Sequence, residues 1–90
     1  MSARDLPPGF TFPAPYTVKA MGLAGPDFVD LVLGLLQPHC APIAPTAVRS
    51  RPSRNGKYLS VSVTIEATGF AQLDAIYADL TAHERILMRL

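Results

Sequence analysis

A two-layer α+β sandwich with elements in the order β-α-β-β-α-β is the fold class that this sequence predicts, and three observations carry it. Residues 58–67 alternate strictly between apolar and polar side chains. An Asn55-Gly56 pair joins that run to a second strand-like run before it. Two further segments repeat apolar residues at helical spacing, one on each side of this hairpin. A length of 90 residues, 49% of them hydrophobic, suits one domain with a real core and lies far from a disordered composition.

Residues 1–11 read as a flexible, proline-rich arm, and residues 12–90 as the domain. Pro7, Pro8, Pro13 and Pro15 remove backbone donors and favour extended chain, while Phe10 and Phe12 offer apolar rings that dock on the domain or on a partner. Strand 1 follows over Tyr16–Met21, with two β-branched residues and a weak alternation. Gly22 to Gly25 form a turn. Pro26 and Asp27 then open helix 1, proline suiting the first turn and the acid suiting the positive end of the helix dipole. Phe28, Leu31, Val32, Leu35 and Leu36 make its apolar stripe, and Pro38 stops it after Gln37.

The proline-rich stretch His39 to Pro45 is a loop. Strand 2 covers Thr46–Ser53 and strand 3 Tyr58–Ala67, joined through Asn55-Gly56, a pair suited to the two positive φ angles of a type I′ turn. Leu59, Val61, Val63 and Ile65 point one way, and Tyr58, Ser60, Ser62, Thr64 and Glu66 the other. Thr68 caps helix 2, whose stripe is Phe70, Leu73, Ile76, Tyr77 and Leu80 and whose end lies near Ala82. Arg85–Leu90 reads as strand 4.

Short connections and right-handed crossovers turn this order into a four-stranded antiparallel sheet, spatial order 4-1-3-2, with both helices on one face: the ferredoxin-like arrangement. Pro52 agrees, because strand 2 is then an edge strand that tolerates a missing donor. With Asn55 and Gly56 as the loop, Arg51 lies opposite Ser60 and Arg49 opposite Ser62, on the face away from the helices. The same alternation puts Lys19 on that face, and with it Arg85, Leu87 and Arg89 of strand 4. The candidate basic face is therefore Lys19, Arg49, Arg51, Arg85 and Arg89. Asp27, Asp30, Asp74 and Asp79 lie on the helices, so a net charge of +1 conceals a dipolar layout. Such a face meets an anion, a nucleic acid or an acidic partner; alternatively it is a solvated surface whose arginines discourage edge aggregation.

Other chemistry is sparse. Base recognition on an open sheet needs aromatic rings in mid-strand, where strand 3 offers Ser60 and Ser62, with Tyr58 only at the hairpin end. This argues against nucleic-acid readout beyond weak, nonspecific contact. His39, Cys40 and His83 have no metal-ligand spacing, and adjacent His39-Cys40 lacks a third group to orient a nucleophile. No metal, cofactor or catalytic set is expected, and the chain reads as a non-enzyme. Cys40 alone allows no internal disulfide, the N-terminus has no apolar signal region, and no apolar run approaches a membrane span, so the expected setting is the cytoplasm. The Gly22–Pro26 turn is a second candidate site, since it exposes amides beside a helix N-terminus where a carboxylate fits. Glycines there also serve turn dihedrals.

Three motifs appear in order: Phe12-Pro13-Ala14-Pro15-Tyr16, then Lys19-Ala20-Met21-Gly22, then Pro52-Ser53-Arg54-Asn55-Gly56-Lys57-Tyr58-Leu59-Ser60-Val61-Ser62, before the ending Ile86-Leu87-Met88-Arg89-Leu90. Over residues 12–90 the chain resembles the YbeD-like family of small bacterial proteins. The resemblance implies a ferredoxin-like domain similar to ACT-type regulatory domains, no assigned function, and a label linking the family to lipoate metabolism. By fold analogy with ACT-like domains it implies a small-ligand site at Gly22, Gly25 and Asp27, often at a dimer interface. The expected function is a regulatory module that binds a small carboxylate or a partner enzyme. The alternatives are self-association or protein docking through the sheet face or an edge, and weak nucleic-acid binding through the arginines.

Overall fold

The structure, a computed structural model, describes residues 10–89, so most of the arm predicted over residues 1–11 lies outside the described residues. The elements are β1 (Ala14–Leu23), α1 (Phe28–Leu36), β2 (Val48–Pro52), β3 (Tyr58–Ala67), α2 (Phe70–Ala82) and β4 (Met88–Arg89). Short 3₁₀ turns at Gln37–His39 and Pro45–Ala47 flank the loop between α1 and β2. The sheet is antiparallel throughout, in the order β2-β3-β1-β4, which is the predicted order read from the other edge.

β1 and β3 pair over ten residues and form the spine of the sheet. Their alternation decides which face is dry. Val18 lies opposite Val63 and Ala20 opposite Val61, and all four are buried under the helices together with Ile65 and Ala67. Phe28, Val32 and Leu36 of α1 and Leu73, Ile76 and Leu80 of α2 close the core from above. Each of these side chains contributes about 1.5–3 kcal/mol by leaving water. The predicted stripes thus form the core, with Leu31, Leu35 and Tyr77 partly buried at its margin. Phe12 packs edge-to-face on Phe70 with centroids 5.0 Å apart, and Phe10 on Phe12 at 5.3 Å, so the start of the described chain adds an aromatic flank. The Tyr16 and Tyr77 hydroxyls hydrogen-bond at 3.0 Å, and burial together with this bond holds the Tyr77 phenol above its usual range.

Several local expectations are corrected. The hairpin register is as predicted, Arg49 opposite Ser62 and Arg51 opposite Ser60. The turn is not type I′, because Gly56 (φ 74°) alone has positive φ and Asn55 does not. Instead the Gly56 amide donates to the Ser53 carbonyl at 2.9 Å, the Asn55 side-chain oxygen accepts from the Lys57 amide and the Ser53 hydroxyl, and the Ser53 hydroxyl accepts from the Tyr58 amide. Asn55 acts through its side chain, as in an Asx turn. Helix 2 is capped by Gly69 rather than Thr68, and Gln72 reaches back to accept the Thr68 amide at 2.8 Å.

Strand 4 differs most. It pairs only at Ala20↔Arg89 and Met21↔Met88, so Arg89 shares the parity of buried Ala20 and Met88 takes the open-face position given to arginine above. Arg85 precedes the strand and turns toward α1 instead of joining the open face. A one-residue change of register exchanges the two faces of a strand, and a two-residue strand has no internal pattern to resist it.

Candidate functional site

The open face carries, on β1, Thr17, Lys19, Met21 and Leu23; on β3, Tyr58, Ser60, Ser62 and Thr64; and on β2, Arg49 and Arg51. Cross-strand pairing arranges them in rows. Arg49, Ser62 and Lys19 make one row; Arg51, Ser60, Met21 and Met88 make the next. Thr17 and Thr64 share a hydroxyl–hydroxyl bond of 3.0 Å in the row beyond. A shallow depression of about 520 Å³ runs between Lys19, Arg49, Arg51, Ser60 and Ser62. Another of about 370 Å³ follows toward the hairpin, lined by Met21, Arg51, Arg54 and Tyr58 among others.

The charge on this face is uncompensated. Among the described residues the ion pairs are His39–Asp79 and Arg85–Asp27, so Lys19, Arg49, Arg51 and Arg54 have no acid partner. Lys57 lies 5.4 Å from the Tyr58 ring centre, a cation–π contact. Glu66 has open-face parity but stands opposite Pro15, two rows from Lys19. Adjacent cations without acids repel one another, a cost that an anionic partner removes. Three of the five predicted basic-face residues, Lys19, Arg49 and Arg51, are therefore brought together, while Arg85 and Arg89 are not. Arg54 and Lys57, which the sequence reading left within the hairpin, extend the basic surface; their place past the end of β2 was the available signal.

Gly22, Gly25 and Asp27 lie at the same end of the molecule but do different work. Gly22 is buried, and any Cβ there overlaps the Phe28 ring and the Arg85 carbonyl. Neither Gly22 nor Gly25 has positive φ, so close approach rather than turn dihedrals explains Gly22. Gly25 accepts the Phe28 amide at 3.2 Å at the start of α1, while the Ala24 amide ties this turn to the Lys57 carbonyl at 2.9 Å. Asp27 makes no side-chain cap. Its carboxylate receives both terminal nitrogens of Arg85 at 2.8 and 3.0 Å, and the hydrogen bond to that guanidinium, aided by one to backbone, holds it below the usual carboxylate range. Arg85 also lies 5.8 Å from the Phe28 ring centre.

The remaining polar candidates serve structure. The His39 side chain bonds Asp79 at 2.5 Å, joining the end of α1 to α2, and the His39 carbonyl accepts Gln72 at 3.0 Å. The Cys40 thiol, pushed up by burial, donates to the Leu36 carbonyl at 3.3 Å. Among the described residues no three His, Cys, Asp or Glu side chains converge as a metal site, and no helix is long and apolar enough to cross a membrane.

The sequence profile of a family described as "Protein of unknown function (DUF493)" matches residues 7–90. The chain belongs to this family. It is 45% identical over 82 residues to a UPF0250 protein of Azotobacter vinelandii, covering 90% of this chain and 89% of that one. A UPF0250 protein of Cronobacter sakazakii is 48% identical over 69 residues, 77% of each chain. The YbeD-like resemblance read from the motifs is this family. The solution structure of HP0495 from H. pylori has a TM-score of 0.75 at 15% identity, covering 100% of this chain and 94% of that one, which shows the shared ferredoxin-like fold. In this DUF493 protein the motif residues Lys19, Met21, Tyr58, Ser60 and Ser62 all face away from the core, on the open sheet face.

Proposed function

We propose that this protein is a non-enzymatic docking module whose open sheet face binds an acidic surface of a partner protein. The observation that carries this reading is the cluster of Lys19, Arg49, Arg51 and Arg54, which has no acid partner among the described residues and is interleaved with hydroxyls able to donate hydrogen bonds. Complementary charge brings such partners together quickly and sets their register.

The reading of a small-carboxylate sensor, with its link to lipoate, is less well supported at the Gly22–Asp27 turn. Asp27 places its own carboxylate beside the start of α1 and already satisfies Arg85, so an entering carboxylate meets a like charge and an occupied guanidinium. Nucleic-acid binding lacks mid-strand rings on which bases stack.

Fluorescence anisotropy of a labelled twenty-residue polyglutamate probe, beside an oligothymidylate of equal length, tests the proposal at two salt concentrations. Polyglutamate is expected to bind the protein, and the R49A/R51A variant to bind it at least about tenfold more weakly, a loss of about 1.4 kcal/mol. Equal binding by the variant overturns the reading. So does a clear preference for the oligonucleotide with steep salt dependence. An amide-resolved titration with octanoate and lipoate completes the test, because saturable shifts confined to Gly22–Asp27 restore the sensor in its place.

A further inference from the structure

The large exposed apolar residues among those described are not scattered. Leu23, Leu87 and Met88 are the large hydrophobic side chains most open to solvent among the described residues, at 54%, 55% and 50%, and all three belong to one end of the sheet. Met88 is paired with Met21, and Leu23 with Tyr58. Leu23 and Leu87 together line a depression of about 270 Å³. Leu23, Met21, Met88 and Tyr58 share the open face with the cations, and Met21 and Tyr58 adjoin Arg51 and Arg54 in the depression at the hairpin. The face thus has an apolar corner at Met21, Leu23 and Met88 and a cationic flank from Lys19 across β2 to Arg54 at the hairpin.

An apolar centre beside a charged margin is how protein interfaces are built, and methionine adapts to the shape of what it meets. We infer that the partner presents an apolar anchor flanked on one side by acid: a segment whose leucine or aromatic residue packs on Met21, Leu23 and Met88 while an aspartate or glutamate meets Arg51 and Arg54. This rests on the docking reading above and adds a chemical class of segment to it. Spacing follows from the sheet. Met21 and Arg51 lie two strands apart in one row, about 10 Å at the usual interstrand distance. An extended segment crossing the strands advances about 3.3 Å per residue, so anchor and acid stand about three residues apart. The side on which the acid stands is set as well, since Arg51 lies toward the β2 edge from Met21 and Arg54 follows it at the hairpin.

Three synthetic peptides titrated into isotope-labelled full-length protein test this. One carries leucine three residues before a pair of glutamates, one replaces the leucine by serine, and one replaces the glutamates by glutamine. The first is expected to bind at least about tenfold more tightly than either control, with shifts at Met21, Leu23, Tyr58 and Met88. The L87S/M88S variant should lose the advantage of leucine while keeping the salt dependence, and R51E/R54E should lose the advantage of glutamate. Both pairs are exposed, and thermal unfolding of each variant checks that it folds. Equal affinity for the leucine and serine peptides, with binding still abolished by R51E/R54E, overturns this inference and leaves the docking reading standing. If R51E/R54E binds the leucine peptide as the parent protein does, both fail.

Discussion

β1 and β3 show the same residues of backbone to two very different surroundings. On the helix side Val18, Ala20, Val61, Val63 and Ala67 are sealed from water against Phe28, Leu73 and Ile76, and among the described residues that core contains no polar side chain. On the other side Lys19, Ser60, Ser62 and Thr64 lie in shallow depressions beside Arg49 and Arg51. The helix side contributes stability, because burial removes apolar area from water. The open side buries little apolar area and holds cations without an acid partner among the described residues. The buried side holds the fold and the open side holds the proposed docking surface, so the two are expected to separate by mutation.

The largest contrast is expected at Phe28, the fully buried first residue of α1. Phe28→Ala is expected to cost about 3–5 kcal/mol in urea unfolding, against a change within about 0.5 kcal/mol for Arg51→Ala on the open face. A loss at Arg51 approaching that at Phe28 would mean that the open face also carries the fold. Gly22 tests the boundary between core and turn. A methyl group there collides with the Phe28 ring and the Arg85 carbonyl, so Gly22→Ala should lower stability by about 1–3 kcal/mol through overpacking, although alanine has no objection to the backbone angle.

The smallest effect is expected at Asp27. Its folded-state pKa is depressed, chiefly by the hydrogen bond from Arg85, so its contribution is present above the unfolded carboxylate range and is lost as pH falls through the folded value. Asp27→Asn should therefore lower the melting temperature slightly at neutral pH, and the difference from the parent should vanish in acid once the pH has fallen through the depressed folded-state value. A difference that persists in acid shows that the pair acts through packing rather than charge.

The legibility of these features follows their length. β3 was legible to the residue, because ten alternating positions leave one register that buries the apolar set. The helix stripes and the pairing of Arg49 and Arg51 were legible for the same reason. The turn between β2 and β3 kept its predicted position but not its type, since Asn55 satisfies neighbouring donors through its side chain and needs no positive φ. Strand 4 was misread. Arg85-Ile86-Leu87-Met88 alternates plausibly in either phase, and nothing local shows that Arg85 meets Asp27, 58 positions away.

For the candidate site the division is similar. Lys19, Arg49 and Arg51 were placed together by alternation alone, since side-chain direction along a strand is a local property of the backbone. The apolar corner of the face was not, because Met21 and Leu23 meet Met88 from the far end of the chain, and that meeting depends on the register of a two-residue strand.

Element order, the dry face, the hairpin register and the grouping of Lys19, Arg49 and Arg51 are consequences of periodicity within one segment or across one short turn, and so follow from the amino-acid order without tertiary information. Tertiary structure alone decided which way β4 faces, that Arg85 is neutralised by Asp27, that Gly22 makes room for Phe28, and that exposed apolar residues gather beside unpaired arginines. Those depend on contacts between distant segments, whose energies are settled only when the whole chain has packed.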